Sequence, residues 1–424
     1  MPTMFASRTP IGDVQPPDFS VFRPTTEIEI GLLTGGIDRP YAFGLATGLA
    51  AKGVCLDVLG SDALDSPEMH TTERLRFLNL YGGARKRFGV VGKAAIVFRS
   101  YARLIRYVAG TKAKILHILW NNRIQLFDRT FLMAYYKMLG KRVVLTAHNV
   151  NAGKRDAKDS LLNRVSLRIQ YRLADHIFVH TDKMKSELME DFGVRAAAVS
   201  VIPFGINNSL PLTALTPIEA KRRLGVKSDE KTILFFGRLR PYKGLEYLVT
   251  AFQQIVATES GYRLIIASEP KVGSEKYYSE IRQLISKDSD GRMVIQRFDF
   301  IPDEDTELYF KAADVLILPY TDTSQSGVLF LGYSFGLPAI TADVGSFAED
   351  IHIGRTGFLC SPRDAIDLAK TIKAYFASDL YRNLDNRRQG IVDYARSRNS
   401  WDTVSDITRD VYASLLRNGS AGVQ

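Results

Sequence analysis

Short, mostly apolar runs rich in β-branched side chains recur along this chain, and each is followed by a segment whose apolar residues repeat every three or four positions. Runs of that kind suit strands buried on both faces of a parallel sheet, and the spaced segments suit the helices that cover those faces. The first series opens at Ile28-Glu-Ile-Gly-Leu-Leu33 and continues through Cys55–Leu59, Phe77–Leu80, Ile115–Leu119, Val143–Thr146, His176–His180 and Val199–Pro203. A second opens at Thr232–Phe236 and continues through Arg263–Ala267, Val294–Phe298, Val315–Pro319 and Ala339–Ala342. This alternation predicts an α/β protein with two doubly wound, Rossmann-like parallel sheets.

A chain of 424 residues has room for two or three domains. The polar, proline-bearing start reads as a flexible leader over 1–26, followed by a first domain over 27–208 and a second over 209–400. The helical pattern of 401–424 is expected to cross back onto the first domain. Two such domains leave a cleft between them, and ligands bind beyond the carboxyl ends of the strands that face it.

Charge and cysteine content narrow the setting. Cys55 and Cys360 lie far apart in apolar, strand-like contexts, so a reducing compartment fits better than a disulfide framework. No apolar run reaches the length that spans a bilayer and the start lacks the order of a secretion signal, which gives the expectation of a soluble, cytoplasmic protein. The net charge of +10 is uneven: from Arg85 to Lys114 there are nine Lys or Arg and no Asp or Glu, interleaved with Phe88, Ile96, Phe98, Tyr101 and Leu104. Such a segment is either a peripheral contact with an anionic membrane through 85–114 or a helix with a solvated basic side. Nucleic acid is not expected, because no recognition motif accompanies the charge.

The stretch richest in chemistry is Lys231 to Leu248, KTILFFGRLRPYKGLEYL. Gly237 ends the strand, Arg238, Arg240 and Lys243 fall in a turn with Pro241, and Gly244 leads into a helical pattern. A helix N-terminus carries unpaired N–H groups and partial positive charge, so cations in the preceding turn complete an anion site. Tyr320-Thr-Asp-Thr-Ser-Gln-Ser-Gly327 repeats the arrangement, with Ser324, Gln325, Ser326 and Gly327 opening a helix. Ser324 or Ser326 could equally be an ordinary N-cap. Glu349, in the loop after Asp343-Val-Gly345, is a candidate for binding hydroxyls. In the first domain, Gly35 and Gly36 follow the first strand. Thr146-Ala-His148-Asn149 follows a strand that ends at the cleft, where His148 can donate to a sugar hydroxyl. No Cys or His pair stands at metal-ligand spacing, and Asp288-Ser-Asp290 and Asp303-Glu-Asp305 read as structural, so no metal is expected.

In this order the motifs resemble glycosyltransferase family 4, the bacterial group 1 enzymes with the two-domain GT-B architecture. Phe236-Gly-Arg-Leu-Arg-Pro-Tyr-Lys-Gly244 is similar to the family's phosphate loop, with Arg238 and Lys243 at the matching positions. Val201-Ile-Pro-Phe-Gly-Ile206 resembles its hinge. Ala313-Asp-Val-Leu-Ile-Leu-Pro319, Gly336-Leu-Pro338, Asp343-Val-Gly345 and Gly354-Arg-Thr-Gly-Phe358 follow in the family's order, and Gly35-Gly36 and His148 correspond to its glycine loop and acceptor-side histidine. One departure stands out: the family carries two glutamates with seven residues between them before Gly-x-Pro, whereas this chain has Thr323 near the first position and Leu331 at the second. Gln325 and Ser326 are the substitutes proposed for the first carboxylate.

The resemblance implies transfer of a sugar from a nucleotide-diphosphate sugar to an acceptor hydroxyl with retention of configuration, in cell-surface polysaccharide or glycolipid assembly. It implies a glycan or lipid-linked acceptor, a base contact near Phe298, catalysis by Arg238, Lys243 and His148, and no cofactor beyond the donor. A sugar-nucleotide epimerase and a catalytically silent nucleotide-binding protein are the alternatives.

Overall fold

The computed structural model describes residues 28–36, 39–82, 90–156, 158–206, 213–270, 273–286 and 293–420. The expected leader, most of the linker, Arg85 to Phe88, and Asp288 with Asp290 lie outside the described residues. Seven strands make the first sheet: β1 (Glu29–Leu33), β2 (Cys55–Gly60), β3 (Leu75–Asn79), β4 (Ile115–Ile118), β5 (Arg142–Thr146), β6 (His176–Val179) and β7 (Val199–Val201). They are all parallel, in the order β3-β2-β1-β4-β5-β6-β7. The second sheet holds β8 (Lys231–Phe236), β9 (Tyr262–Ala267), β10 (Val294–Arg297), β11 (Val315–Leu318), β12 (Ala339–Ala342) and β13 (Gly357–Cys360), parallel in the order β10-β9-β8-β11-β12-β13. The expected strands are present with ends shifted by no more than two residues. Among the described residues, only β13 is additional.

The unbroken apolar runs follow from burial on both faces. Along β8, Ile233 and Phe235 point into one core cluster and Leu234 into the other, the two-residue period of a strand. β1 does the same, with Ile30 and Leu32 in one cluster and Leu33 in the other.

The helix Trp401–Ser420 lies on the first sheet's helix Arg39–Ala51, so the chain ends on the domain where it began. Trp401 and Tyr412 enter the same core cluster as Tyr41, Leu45 and Leu49. Deeper in, His117 of β4 is fully buried, with Nδ1 2.6 Å from the Tyr412 hydroxyl and Nε2 2.7 Å from Thr146 Oγ1. The return runs beside the hinge: Trp401 Nε1 donates to the Ile206 carbonyl and Asn399 Nδ2 to the Phe204 carbonyl.

Candidate functional site

In each sheet the strand order reverses once, between β1 and β4 and between β8 and β11. A crevice opens at such a reversal because neighbouring crossovers leave in opposite directions. The loops singled out in the sequence leave those strands: Gly35-Gly36 after β1, Gly237 to Gly244 after β8, and Tyr320 to Gly327 after β11.

After β8 the chain forms the short turn Pro241–Lys243 and then the helix Leu245–Val256, whose N-cap, Gly244, offers no side chain to its first N–H groups. Lys243 is buried, and no carboxylate lies within ion-pair distance of it among the described residues. A Cβ on Gly237 would come within 2.8 Å of the Lys243 ammonium, so glycine there is what lets the cation sit over the backbone. The ammonium also stands 5.4 Å from the centre of the Tyr320 ring. Burial, reinforced by the positive fields of Arg238, Arg240 and Arg155, pushes Lys243 down to about 8. Arg238 is exposed, with its Nε 3.9 Å from Glu269.

The helix Gly327–Ser334 also begins without a side-chain cap; Ser326 is its N-cap residue, and its hydroxyl lies 3.5 Å from the Tyr320 hydroxyl instead. Thr323, near the position of the family's first glutamate, turns its hydroxyl onto the Gln325 carbonyl. The Gln325 side-chain oxygen is enclosed and has no hydrogen-bond partner among the described residues. Leu331 packs at the edge of a core cluster and offers no polar group.

On the first domain, a Cβ at Gly35 would come within 2.8 Å of the Trp120 carbonyl, which explains a glycine with φ of 60° at the end of β1. His148 lies face to face with Trp120, centroids 4.2 Å apart, with the edge of Tyr41 against it. Its Nδ1 is 3.0 Å from Nε2 of His180, whose Nδ1 is 3.2 Å from the Ile202 carbonyl. The His148 Nε2 is enclosed and has no hydrogen-bond partner among the described residues. Burial holds both rings neutral, His180 down to about 4 and His148 well below its ordinary value.

Between the domains lies a pocket of about 400 Å³. Asn149, Asn151, Lys154, Arg155 and Lys183 line it from the first domain, with Glu187 and Glu190, and Asp322, Thr323 and Ser324 line it from the second. Arg155 spans the gap: its guanidinium sits 4.4 Å over the ring of Tyr242 in the loop after β8, while Asp156 and Asn149 hold it from behind.

Lys243, Arg238, Gly237 and the Ser324–Gly327 loop thus leave neighbouring strands at one crevice. Phe298 does not join them; it stands at the sheet edge two strands from β8 and packs against Tyr278. Glu349 is exposed on the short helix Phe347–Asp350, where its carbonyl accepts from Arg398. Asp303 and Asp305 form the first turn of the helix Asp303–Ala312, and Asp303 lies 3.6 Å from Arg39 across the cleft. Arg155 and His180 were not picked out from the sequence. Each acquires its place through a partner distant along the chain.

Two family models match the chain: residues 35–210 match Glycosyltransferase Family 4, and residues 230–378 match Glycosyl transferases group 1. Among curated proteins, the chain is 27% identical over 261 residues to the D-inositol 3-phosphate glycosyltransferase of Geodermatophilus obscurus, covering 59% of this chain and 55% of that one. The same enzyme of Acidothermus cellulolyticus is 27% identical over 247 residues, covering 57% and 54%. The chain therefore spans little more than half the length of these relatives. Among solved structures, sucrose-phosphate synthase from Thermosynechococcus elongatus superposes with a TM-score of 0.72 at 19% identity, over 92% of this chain and 99% of that one. Anabaena HepE in complex with UDP and glucose superposes with a TM-score of 0.71 at 17% identity, over 92% and 100%.

Proposed function

Because the chain belongs to glycosyltransferase family 4, we propose that it moves a sugar from a nucleoside-diphosphate sugar to an acceptor hydroxyl with retention of configuration. The observation that carries this reading is Lys243, a buried ammonium without a carboxylate partner among the described residues, crowded by arginines. A buried charge is costly unless an opposite charge meets it. A diphosphate in the crevice would meet it, together with Arg238 and the N-terminus of the helix Gly327–Ser334, which no side chain caps. In a front-face reaction the main catalytic demand is to stabilise negative charge growing on the departing diphosphate, and fixed cations in a water-poor cleft meet that demand. Gln325, with its enclosed side-chain oxygen, takes a donor-sugar hydroxyl in place of the first glutamate of the pattern that this chain resembles.

The pocket across the cleft is the acceptor side of this scheme. Its amides, hydroxyls and mixed charges, with Lys154, Arg155 and Lys183 set among Glu187, Glu190 and Asp322, suit the hydroxyls of a glycan better than a strongly anionic acceptor. Replacing Arg238 or Lys243 by alanine is expected to lower turnover at least about a hundredfold, on the order of 3 kcal/mol of transition-state stabilisation. Nucleotide release from a panel of UDP-, GDP- and ADP-sugars, with and without a lipid-linked glycan acceptor, measures it. Near-normal turnover in well-folded variants would remove both residues from the mechanism.

We further propose that the first domain rests on an anionic membrane through two helices, which fits a lipid-linked acceptor. Val90–Gly110 exposes Phe98 and Ile105 beside Arg99, Arg103 and Arg106. Leu161–Leu173 exposes Leu161, Leu162, Val165 and Ile169 beside Arg164, Arg168 and Arg172, with no acidic residue in its length. Exposed apolar side chains among arginines match a surface that is apolar below and negative above. No helix among the described residues is long and apolar enough to cross a membrane. Co-sedimentation is expected with vesicles containing phosphatidylglycerol and not with pure phosphatidylcholine, and Leu161→Ser with Leu162→Ser should weaken it about tenfold or more. Equal sedimentation with both lipids would count against the contact.

A further inference from the structure

The two histidines beside the cleft form a chain with only one consistent arrangement of protons. A backbone carbonyl can only accept, so the 3.2 Å contact between His180 Nδ1 and the Ile202 carbonyl puts a proton on that Nδ1. A neutral His180 then has a bare Nε2, which accepts from His148 Nδ1 at 3.0 Å. With its proton on Nδ1, a neutral His148 presents a bare Nε2. That nitrogen is the atom left enclosed and without a partner among the described residues. Trp120 stacked on one face and Tyr41 edge-on fix the direction in which it points.

We infer that His180 is a positioning residue that locks His148 in the Nδ1–H tautomer, so that His148 meets its ligand as a hydrogen-bond acceptor and the ligand supplies a hydroxyl. The direction of that bond is the reverse of the donation expected from the sequence. It also sets a preference: a hydroxyl can donate to the bare nitrogen, and an analogue lacking that hydrogen, such as a deoxy or O-methyl sugar, leaves a buried acceptor unpaired. The inference rests on the transferase reading for the identity of the ligand, and on hydrogen-bond geometry alone for the tautomer.

The test separates those two parts. Nitrogen-15 spectra of histidine-labelled protein at pH 7, assigned with His148→Gln and His180→Gln, are expected to show His148 and His180 both as Nδ1–H tautomers. An Nε2–H or doubly protonated His148 would overturn the inference whatever the activity. In His180→Phe, which keeps a ring and loses both hydrogen bonds, the His148 signals should move to a mixture of tautomers and turnover should fall about tenfold or more, with UDP affinity kept within about twofold. His180→Gln carries a donor and an acceptor on one amide, so it should restore most of the turnover and the His148 tautomer. If His180→Phe shifts the tautomer and turnover is unchanged, or if the Gln variant is as impaired as the Phe variant, the positioning role is wrong. Absence of turnover in the parent protein with every donor would sink the transferase reading instead and leave the tautomer result standing.

Discussion

Lys243 shows how burial and neighbouring charges can reshape one side chain. Its ordinary value of 10.5 is pushed down to about 8, first by burial and then by neighbouring arginines. Below pH 8 the folded free protein holds a buried ammonium. Between 8 and 10.5 the unfolded chain keeps that proton while the folded one releases it, so the free protein gains stability as pH rises through this window. In the proposed scheme diphosphate binding has the opposite sign, because it needs the ammonium, so UDP affinity should be flat below about pH 7 and decline above pH 8, approaching tenfold per pH unit as the one-proton limit. Calorimetric titration from pH 6.5 to 9.5 measures this, and Lys243→Arg, which stays charged, should lose the decline. The loop around Lys243 was legible because Gly237, Arg238, Lys243 and Gly244 are consecutive signals on one strand-turn-helix unit. Arg155 was not: Lys154-Arg155-Asp156 reads as a solvated helical turn, and only folding sets it over Tyr242, which lies 87 positions along the chain (242 minus 155). His180 was hidden for the same reason, since strand pairing brings it to His148.

At the scale of single elements, the strands were readable because burial on both faces keeps most of their residues apolar, and exceptions such as Asp57 in β2 and His117 in β4 are hydrogen-bonded. β13 was not picked out: it opens on Gly357, three residues after Gly354, and glycine is depleted in strands. The fit of the helix Trp401–Ser420 was harder to foresee, because it depends on gaps in another element. An added Cβ at Gly44 would lie 2.0 Å from the Trp401 ring, and one at Gly205 would lie 2.4 Å from the same ring. Two effects compete in Gly44→Ala. Helix propensity favours alanine by about 1 kcal/mol, whereas overpacking a buried ring costs about 1–3 kcal/mol. Because glycines flank the ring on two sides, it has nowhere to retreat and overpacking should win. A lower melting temperature, with faster proteolysis near residue 400, is the expected outcome, and a raised melting temperature would show that the ring can shift.

At the scale of the whole molecule, named polar contacts bridge the two halves. Arg155 over Tyr242 and Arg39 beside Asp303 both cross the cleft. The first joins the pocket between the domains to the loop after β8, so in the proposed scheme closing the cleft would also bring Arg155 to the cation cluster. A partly desolvated cation–π contact of this kind contributes about 0.5–2 kcal/mol. Arg155→Ala should therefore broaden the population of open forms, seen as a larger radius of gyration by small-angle scattering with nucleotide bound, and lower turnover about tenfold. An unchanged radius with unchanged turnover would show that the contact does not govern closure. The two-sheet plan could be read from the sequence because it repeats locally. The relation between the halves could not, because it rests on pairs such as these.

The final helix has a bearing on biogenesis. Tyr412 caps the His117 ring from a position almost 300 residues downstream, a separation of 295. On a translating ribosome the first sheet must therefore wait with an open seam while the entire second domain is synthesised. The domain made first is the last to be finished, and a nascent chain halted before Trp401 would present that greasy seam to chaperones.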